Sequence, residues 1–72
     1  MSKNESNELW KKIQTIRKKL GFTQDELSRK ADVPYTTLTK IEIGVIKAPS
    51  VFVIVKIAQA LGTTVEELIS EK

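Results

Sequence analysis

The residues best suited to a recognition task lie between Thr23 and Glu42, in the stretch TQDELSRKADVPYTTLTKIE. Within it Tyr35, Thr36, Thr39 and Lys40 offer hydroxyls and one long cation, with no carboxylate among them. Hydroxyls, amides and basic groups are what read base edges and hold phosphates. A merely solvated helix face would also accept these four residues, so both readings stay open at this point. Catalysis has much less to draw on. The chain has no Cys and no His, which removes a disulfide framework, a thiolate zinc site and the usual general base. The carboxylate pairs Asp25-Glu26 and Glu66-Glu67 are accounted for as charges at helix starts, and no nucleophile has a base beside it. The expectation is a protein that is not an enzyme, with no catalytic residues, no cofactor and no metal site.

Two short helices joined by a tight turn would hold the Tyr35–Lys40 group in place. Thr23 and Glu26 form a T-x-x-E capping box, and Asp25 adds a favourable negative charge in the same first turn. Leu27 and Ala31, four apart, face inward. Asp32-Val33-Pro34 then breaks the pattern: Pro34 disfavours helical geometry at Val33 but suits the start of a new helix. Val33, the one apolar residue of the turn, is expected to plug between the two helices. The second helix is predicted over 34–43, with Leu38 and Ile41 inward and Tyr35, Thr36, Thr39 and Lys40 on other faces.

The flanking sequence supplies the rest of a small helical domain. A first helix is predicted over 7–20, with Leu9, Ile13, Ile16 and Leu20 in one apolar stripe and Gly21 as its stop signal. Trp10 sits beside that stripe as a packing residue or a base-stacking one. Phe22 is expected to enter the core before the Thr23 cap. Gly44 would end the second helix of the pair in a left-handed conformation. In the loop that follows, Val45 and Ile46 cap the core or form a partner surface. Ser50 caps a fourth helix over 51–61, with Ile54, Ile57, Ala58 and Leu61 inward and Phe52, Val53 and Val55 making it apolar almost all round. Thr64 and Glu67 form a second capping box, opening a short helix over 65–70 with Leu68 inward. The expected division is a flexible N-terminus at 1–6, one domain over 7–70 and a short end at 71–72. Lys3 trails along a phosphate backbone or lies in a disordered end.

Length and charge fit this picture. Seventy-two residues allow one domain, which buries only about 60% of its unfolded surface, so modest stability is expected unless it dimerises. The longest apolar run, Val51 to Val55, falls far short of the roughly 18 residues a membrane helix needs. The polar start MSKNESNE is unlike a signal peptide. The formal charge is +3, and Glu66 to Lys72 holds three acids and one base. A basic body with an acidic end suits a polyanion partner on one side, although many small soluble domains carry such a charge. The absence of Cys suits the cytoplasm.

With these residues in place, the chain resembles the Cro/repressor-type helix-turn-helix family over about Leu9 to Ile69. The landmarks are Arg17 in IRKKLG, Thr23-Gln24 with Glu26-Leu27, Ala31, Val33, Leu38, Ile41, Glu42, Gly44, Pro49-Ser50, and KIAQALG followed by TTVEEL. Each piece is weak alone; their order and spacing carry the likeness. Differences exist: Pro34 stands where the family usually has Ser or Thr, and Ser28 where it usually has Ala. Tyr35, Ile43, Val45 and Ile46 stand where it often has charged or amide residues.

The resemblance implies an all-α, compact five-helix repressor-like domain whose helices 2 and 3 form the helix-turn-helix. It implies that helix 34–43 enters the major groove of double-stranded DNA. Tyr35, Thr36, Thr39 and Lys40 are then the expected base contacts. Gln24, Thr37 and Lys47 are the expected phosphate contacts, and Arg17 pairs with Glu42 as an architectural clamp. A module this small is expected to act as a homodimer on a two-fold operator, as a cytoplasmic repressor. Phe52, Val53 and Thr63, at the surplus apolar surface of the fourth helix and the loop after it, are the interface candidates. The rival is an antitoxin or other protein-interaction module of the same fold that masks a partner protein.

Overall fold

The computed structural model describes residues 8–69. Five helices follow one another: α1 (Glu8–Lys19), α2 (Gln24–Ala31), α3 (Tyr35–Glu42), α4 (Val51–Leu61) and α5 (Val65–Ile69). α2 packs on α3 and α4, α1 on α3 and α5, and α4 on α5. No strand occurs among the described residues, so the architecture is the all-α, five-helix one. Residues 1–7 and 70–72 lie outside the description, including the expected tail at 1–6, Lys3 and the end at 71–72.

Local sequence fixes where the helices start. The Glu26 amide donates to Thr23 Oγ1 at 3.0 Å, and the Thr23 amide donates to Glu26 Oε1 at 2.9 Å, a complete capping box for α2. The Val53 amide donates to Ser50 Oγ at the head of α4. The box at Thr64 is only half formed. The Glu67 amide donates to Thr64 Oγ1 at 3.0 Å, but the Glu67 carboxylate accepts from the Thr63 hydroxyl instead of from the Thr64 amide. A neighbouring hydroxyl competes for the same carboxylate, which the T-x-x-E pattern does not register.

The first four helices all stop in the same way. Gly21, Asp32, Gly44 and Gly62 take left-handed backbone angles, and the chain folds back to hydrogen-bond the last turn. At α1 the Gly21 amide reaches Lys18 O and the Phe22 amide reaches Arg17 O. At α2 the Asp32 and Val33 amides reach Arg29 O and Ser28 O. This reversal corrects the expectation for Leu20. The apolar stripe of α1 would continue to Leu20, but the helix ends at Lys19, and Leu20, though its amide still bonds Ile16 O, is 48% exposed.

Every helix sends at least one residue into a single core. Ile13 comes from α1, Leu27 and Ala31 from α2, Leu38 and Ile41 from α3, Ile57, Ala58 and Leu61 from α4, and Leu68 from α5. Val33 is buried in the α2–α3 turn with them. Burying one such aliphatic side chain is worth about 1.5–3 kcal/mol, so the turn residue contributes as a core member does. Phe22 and Ile54 are half-buried against the core. The Lys30 ammonium lies 5.2 Å from the centre of the Phe22 ring. Ser28, an unexpected buried polar residue, satisfies its hydroxyl by donating to Asp25 O at 2.7 Å. No helix among the described residues is long and apolar enough to cross a membrane.

Candidate nucleic-acid interface

Helix α3 has two faces of different chemistry. Leu38, Ile41 and Glu42 are buried. On the other side, Tyr35 and Thr39 are four apart, as are Thr36 and Lys40, so these four share one outward face. Tyr35, Thr36 and Lys40 are exposed, whereas Thr39 is half-buried. The Thr39 hydroxyl donates to Thr36 O at 2.9 Å, which leaves that oxygen as an acceptor and its methyl as an apolar contact. Thr37 lies toward the flank of the helix and is half-buried. Pro34 precedes the first turn with no side-chain cap. The helix therefore presents the amides of its first turn without a side-chain acceptor, where an anion is favoured.

The other end of α3 is held closely. All four terminal carbonyls have donors inside the protein. The Ile43 amide binds Thr39 O, the Val45 and Ile46 amides bind Lys40 O, and the Gly44 amide binds Ile41 O. Gln14 Nε2 donates to Glu42 O at 2.7 Å. Gly44 takes φ +83°, and its Cα side faces Trp10: a Cβ there would lie 3.7 Å from the indole nitrogen. Trp10 is half-buried beside the end of α3, an arrangement of packing and not an exposed stacking platform.

The Glu42 side chain is the hub of this end. It is fully buried and Arg17 is 8% exposed. Arg17 Nε donates to Glu42 Oε2 at 2.9 Å and Arg17 Nη2 to Glu42 Oε1 at 3.0 Å. Arg17 Nη1 donates to Phe22 O at 2.9 Å, so the guanidinium also ties down the α1–α2 turn. Gln24 Nε2 donates to Glu42 Oε1 at 3.0 Å. One carboxylate thus joins α1, the head of α2 and the tail of α3. Charge-assisted, two-point contacts of this kind carry geometry as well as energy. The surrounding donors satisfy the buried ions, whose desolvation would otherwise cost several kcal/mol.

The remaining residues are placed as follows. Lys47 is exposed in the α3–α4 loop. In that loop Ile46 packs against the core, while Ile43 and Val45 stay exposed at 66% and 63%. Phe52 is 76% exposed in the first turn of α4. Val53, in contrast, packs against the core. Thr63 is half-buried, with its hydroxyl engaged by Glu67. Phe52 and Thr63 flank opposite ends of α4, which at 1.5 Å per residue sets them roughly 16 Å apart along the axis. They do not form one compact patch. Two contributors have no motif in the sequence to announce them: Gln14 at the Glu42 carbonyl, and the direct contact of Gln24 with Glu42. The spacing of Gln14 and Arg17, three apart on one face of α1, is the available signal for the first.

No group of three or more His, Cys, Asp or Glu side chains able to hold a metal comes together among the described residues. The chemistry available is hydrogen bonding and charge, presented on a helix whose back is fixed.

Comparison with known proteins agrees with this geometry. A family model described as helix-turn-helix matches residues 13–68. No curated protein sequence matches the chain. Among solved structures, the N-terminal DNA-binding domain of SinR from Bacillus subtilis is 31% identical, with a TM-score of 0.86, covering 89% of this chain and 93% of that one. SinR in complex with DNA, described there as the master regulator for biofilm formation, is 29% identical, with a TM-score of 0.83, covering 86% and 98%. A chain of the SinR–SinI protein complex is 30% identical, with a TM-score of 0.85 over 88% of this chain, which spans 61% of that one. The chain belongs to the Cro/repressor-type helix-turn-helix family of DNA-binding transcriptional regulators.

Proposed function

We propose that the protein binds double-stranded DNA in a sequence-specific way, with α3 in the major groove. One observation carries this reading. The exposed Tyr35, Thr36 and Lys40 sit on a helix whose opposite face is buried and whose last carbonyls are all bonded. A rigid helix with hydroxyl and ammonium groups outward is what base readout requires. Tyr35, Thr36, Thr39 and Lys40 are assigned to base edges. Threonine methyls meet thymine methyls, and the lysine donates to guanine O6 and N7. Gln24, Thr37 and Lys47 are assigned to phosphates, Gln24 with the free amides at the head of α2 beside it. The Arg17–Glu42 pair has an architectural role and touches no base.

A single module of this size gives little affinity. The protein acts as a homodimer on a two-fold site, with half-sites about 34 Å apart. The 76% exposed Phe52 is the main support for an interface; Val53 packs against the core and Thr63 lies past the other end of α4. The simplest outcome is repression in the cytoplasm by occluding a promoter. Selection from a random duplex pool at two salt concentrations tests the DNA reading. Enrichment of one motif at both concentrations supports it, and a pool left unenriched overturns it. Sedimentation showing only monomer at high micromolar concentration, with and without the selected duplex, overturns the dimer.

A second reading is favoured by Ile43, Val45, Val51 and Phe52, all large apolar residues exposed by at least 60%. In it the chain also docks a protein partner, as an antitoxin does, and the structural neighbour in the SinR–SinI complex is in keeping with such use. Co-purification of a stoichiometric protein partner, abolished by Phe52→Lys, distinguishes this role.

A further inference from the structure

We infer that Ile43 is a specificity-determining residue that reads the C5 methyl group of a thymine in the major groove. The inference rests on the DNA-binding reading above and adds to it a reader that follows the last residue of α3.

α3 ends at Glu42, but helical bonding continues for one residue more. The Ile43 amide donates to Thr39 O at 3.0 Å, the i to i−4 bond of an α-helix. The side chain of Ile43 is therefore placed by the same spiral as those before it. At roughly 100° per residue, seven residues make two turns less about 20°. Ile43 thus lies almost in line with Thr36 along the axis, in a direction between those of Thr39 and Lys40. This is the middle of the outward face and not its margin. The opposite face belongs to Leu38, Ile41 and Glu42, which are buried, whereas Ile43 is 66% exposed.

The chemistry of the face leaves this position a distinct task. Lys40 is the one side chain of the face able to make a two-point contact with a base edge; Asn, Gln and Arg, the other such donors, are absent from it. The Thr39 hydroxyl has spent its proton on Thr36 O. With so few donors, apolar contact has to carry part of the discrimination. The Ile43 side chain has neither donor nor acceptor, so it cannot hydrogen-bond a phosphate or a base edge. The apolar group by which the bases differ in the major groove is the thymine methyl. An exposed isoleucine in the middle of the reading face matches that group. From Thr36 to Ile43 is about 10.5 Å along the helix, the length of about three base pairs at roughly 3.4 Å each. The thymine read by Ile43 stands that far from the base that Thr36 meets.

The test uses the duplex enriched from a random pool by the wild type, with each thymine replaced in turn by deoxyuridine. This removes one methyl group and leaves the base pairing unchanged. The wild type is compared with Ile43→Ala and with Thr36→Ser, all shown to be folded by circular dichroism. Loss of one buried methyl contact predicts that the wild type binds the relevant deoxyuridine duplex about fourfold more weakly. In Ile43→Ala that penalty disappears at one thymine of the half-site and persists at the others. The thymine concerned lies about three base pairs from any whose penalty disappears in Thr36→Ser. An enriched half-site without thymine would overturn the inference. An equal loss on every duplex would overturn it too, leaving a sequence-blind contact with the sugar-phosphate wall. Unchanged affinities and unchanged penalties would place Ile43 off the DNA, on a surface for a protein partner. If the wild type enriches and binds no duplex, the DNA reading fails first. That result is distinct from a wild type that discriminates and an Ile43→Ala protein that keeps every deoxyuridine penalty.

Discussion

Arg17 and Glu42, on separate helices, meet in a two-point contact at 2.9 and 3.0 Å with the carboxylate wholly withdrawn from solvent. Removing one partner of such a pair leaves a buried charge uncompensated. Glu42→Ala is therefore expected to lower stability by about 3–5 kcal/mol. The double change Arg17→Met with Glu42→Leu, which removes both charges, should recover most of that. Chemical denaturation of the three proteins checks this. A Glu42→Ala protein as stable as the wild type would deny the pair its clamping role.

Asp32 is the only non-glycine residue with a positive φ among the described residues, at +59°. A side chain in that conformation costs roughly 1 kcal/mol relative to glycine. Its ion pair with Lys56, at 3.9 Å between exposed groups, returns little. Asp32→Gly is expected to raise the melting temperature by a few degrees without changing DNA affinity. A fall in melting temperature would mean that the Lys56 contact outweighs the backbone cost.

Gly44 holds φ +83°, and a Cβ there would meet Trp10 at an ordinary contact distance. Space is available, so the cost of Gly44→Ala comes from the backbone, about 1–2 kcal/mol. Because the loop leaves α3 through this residue and passes Trp10, indole fluorescence should shift as well. Loss of stability with unaltered fluorescence would place the strain elsewhere.

Lys40 and Lys47 are assigned different work, so their alanine variants should differ in kind. Lys40→Ala is expected to relax discrimination at one or two base pairs, at a cost of ~1–3 kcal/mol on the preferred site. Lys47→Ala should weaken all duplexes alike and reduce the salt dependence of log affinity by ~0.9, the share of one phosphate that is no longer neutralised. Binding isotherms at three salt concentrations on matched and mismatched duplexes separate the two. Identical behaviour would undo the assignment.

Legibility in the sequence divides along range of interaction. Thr23 with Glu26, Ser50 with Val53 and the helix over 51–61 are settled within a few residues, and there the sequence pattern and the structure agree. Leu20 shows where periodicity misleads. The spacing runs on after the helix has stopped, because the reversal at Gly21 is stronger than the pull of one more apolar residue. Glu67 shows a local competition that a four-residue motif cannot express. Gln14 and Gln24 lie 28 and 18 residues from Glu42. No periodicity marks a contact at that range, and the Arg17–Glu42 pairing itself follows from family likeness alone. The outward face of α3 is legible as a set of residues, while the reason it can be held still is not.

The decisive measurement is a titration of the selected duplex into isotopically labelled protein at low ionic strength, following the backbone amides of residues 35–40. With α3 as the reading element, these signals shift or broaden first, and those of α4 and α5 change little. If they stay unmoved while other surfaces respond, α3 does not read the duplex and the proposed mode of binding is wrong.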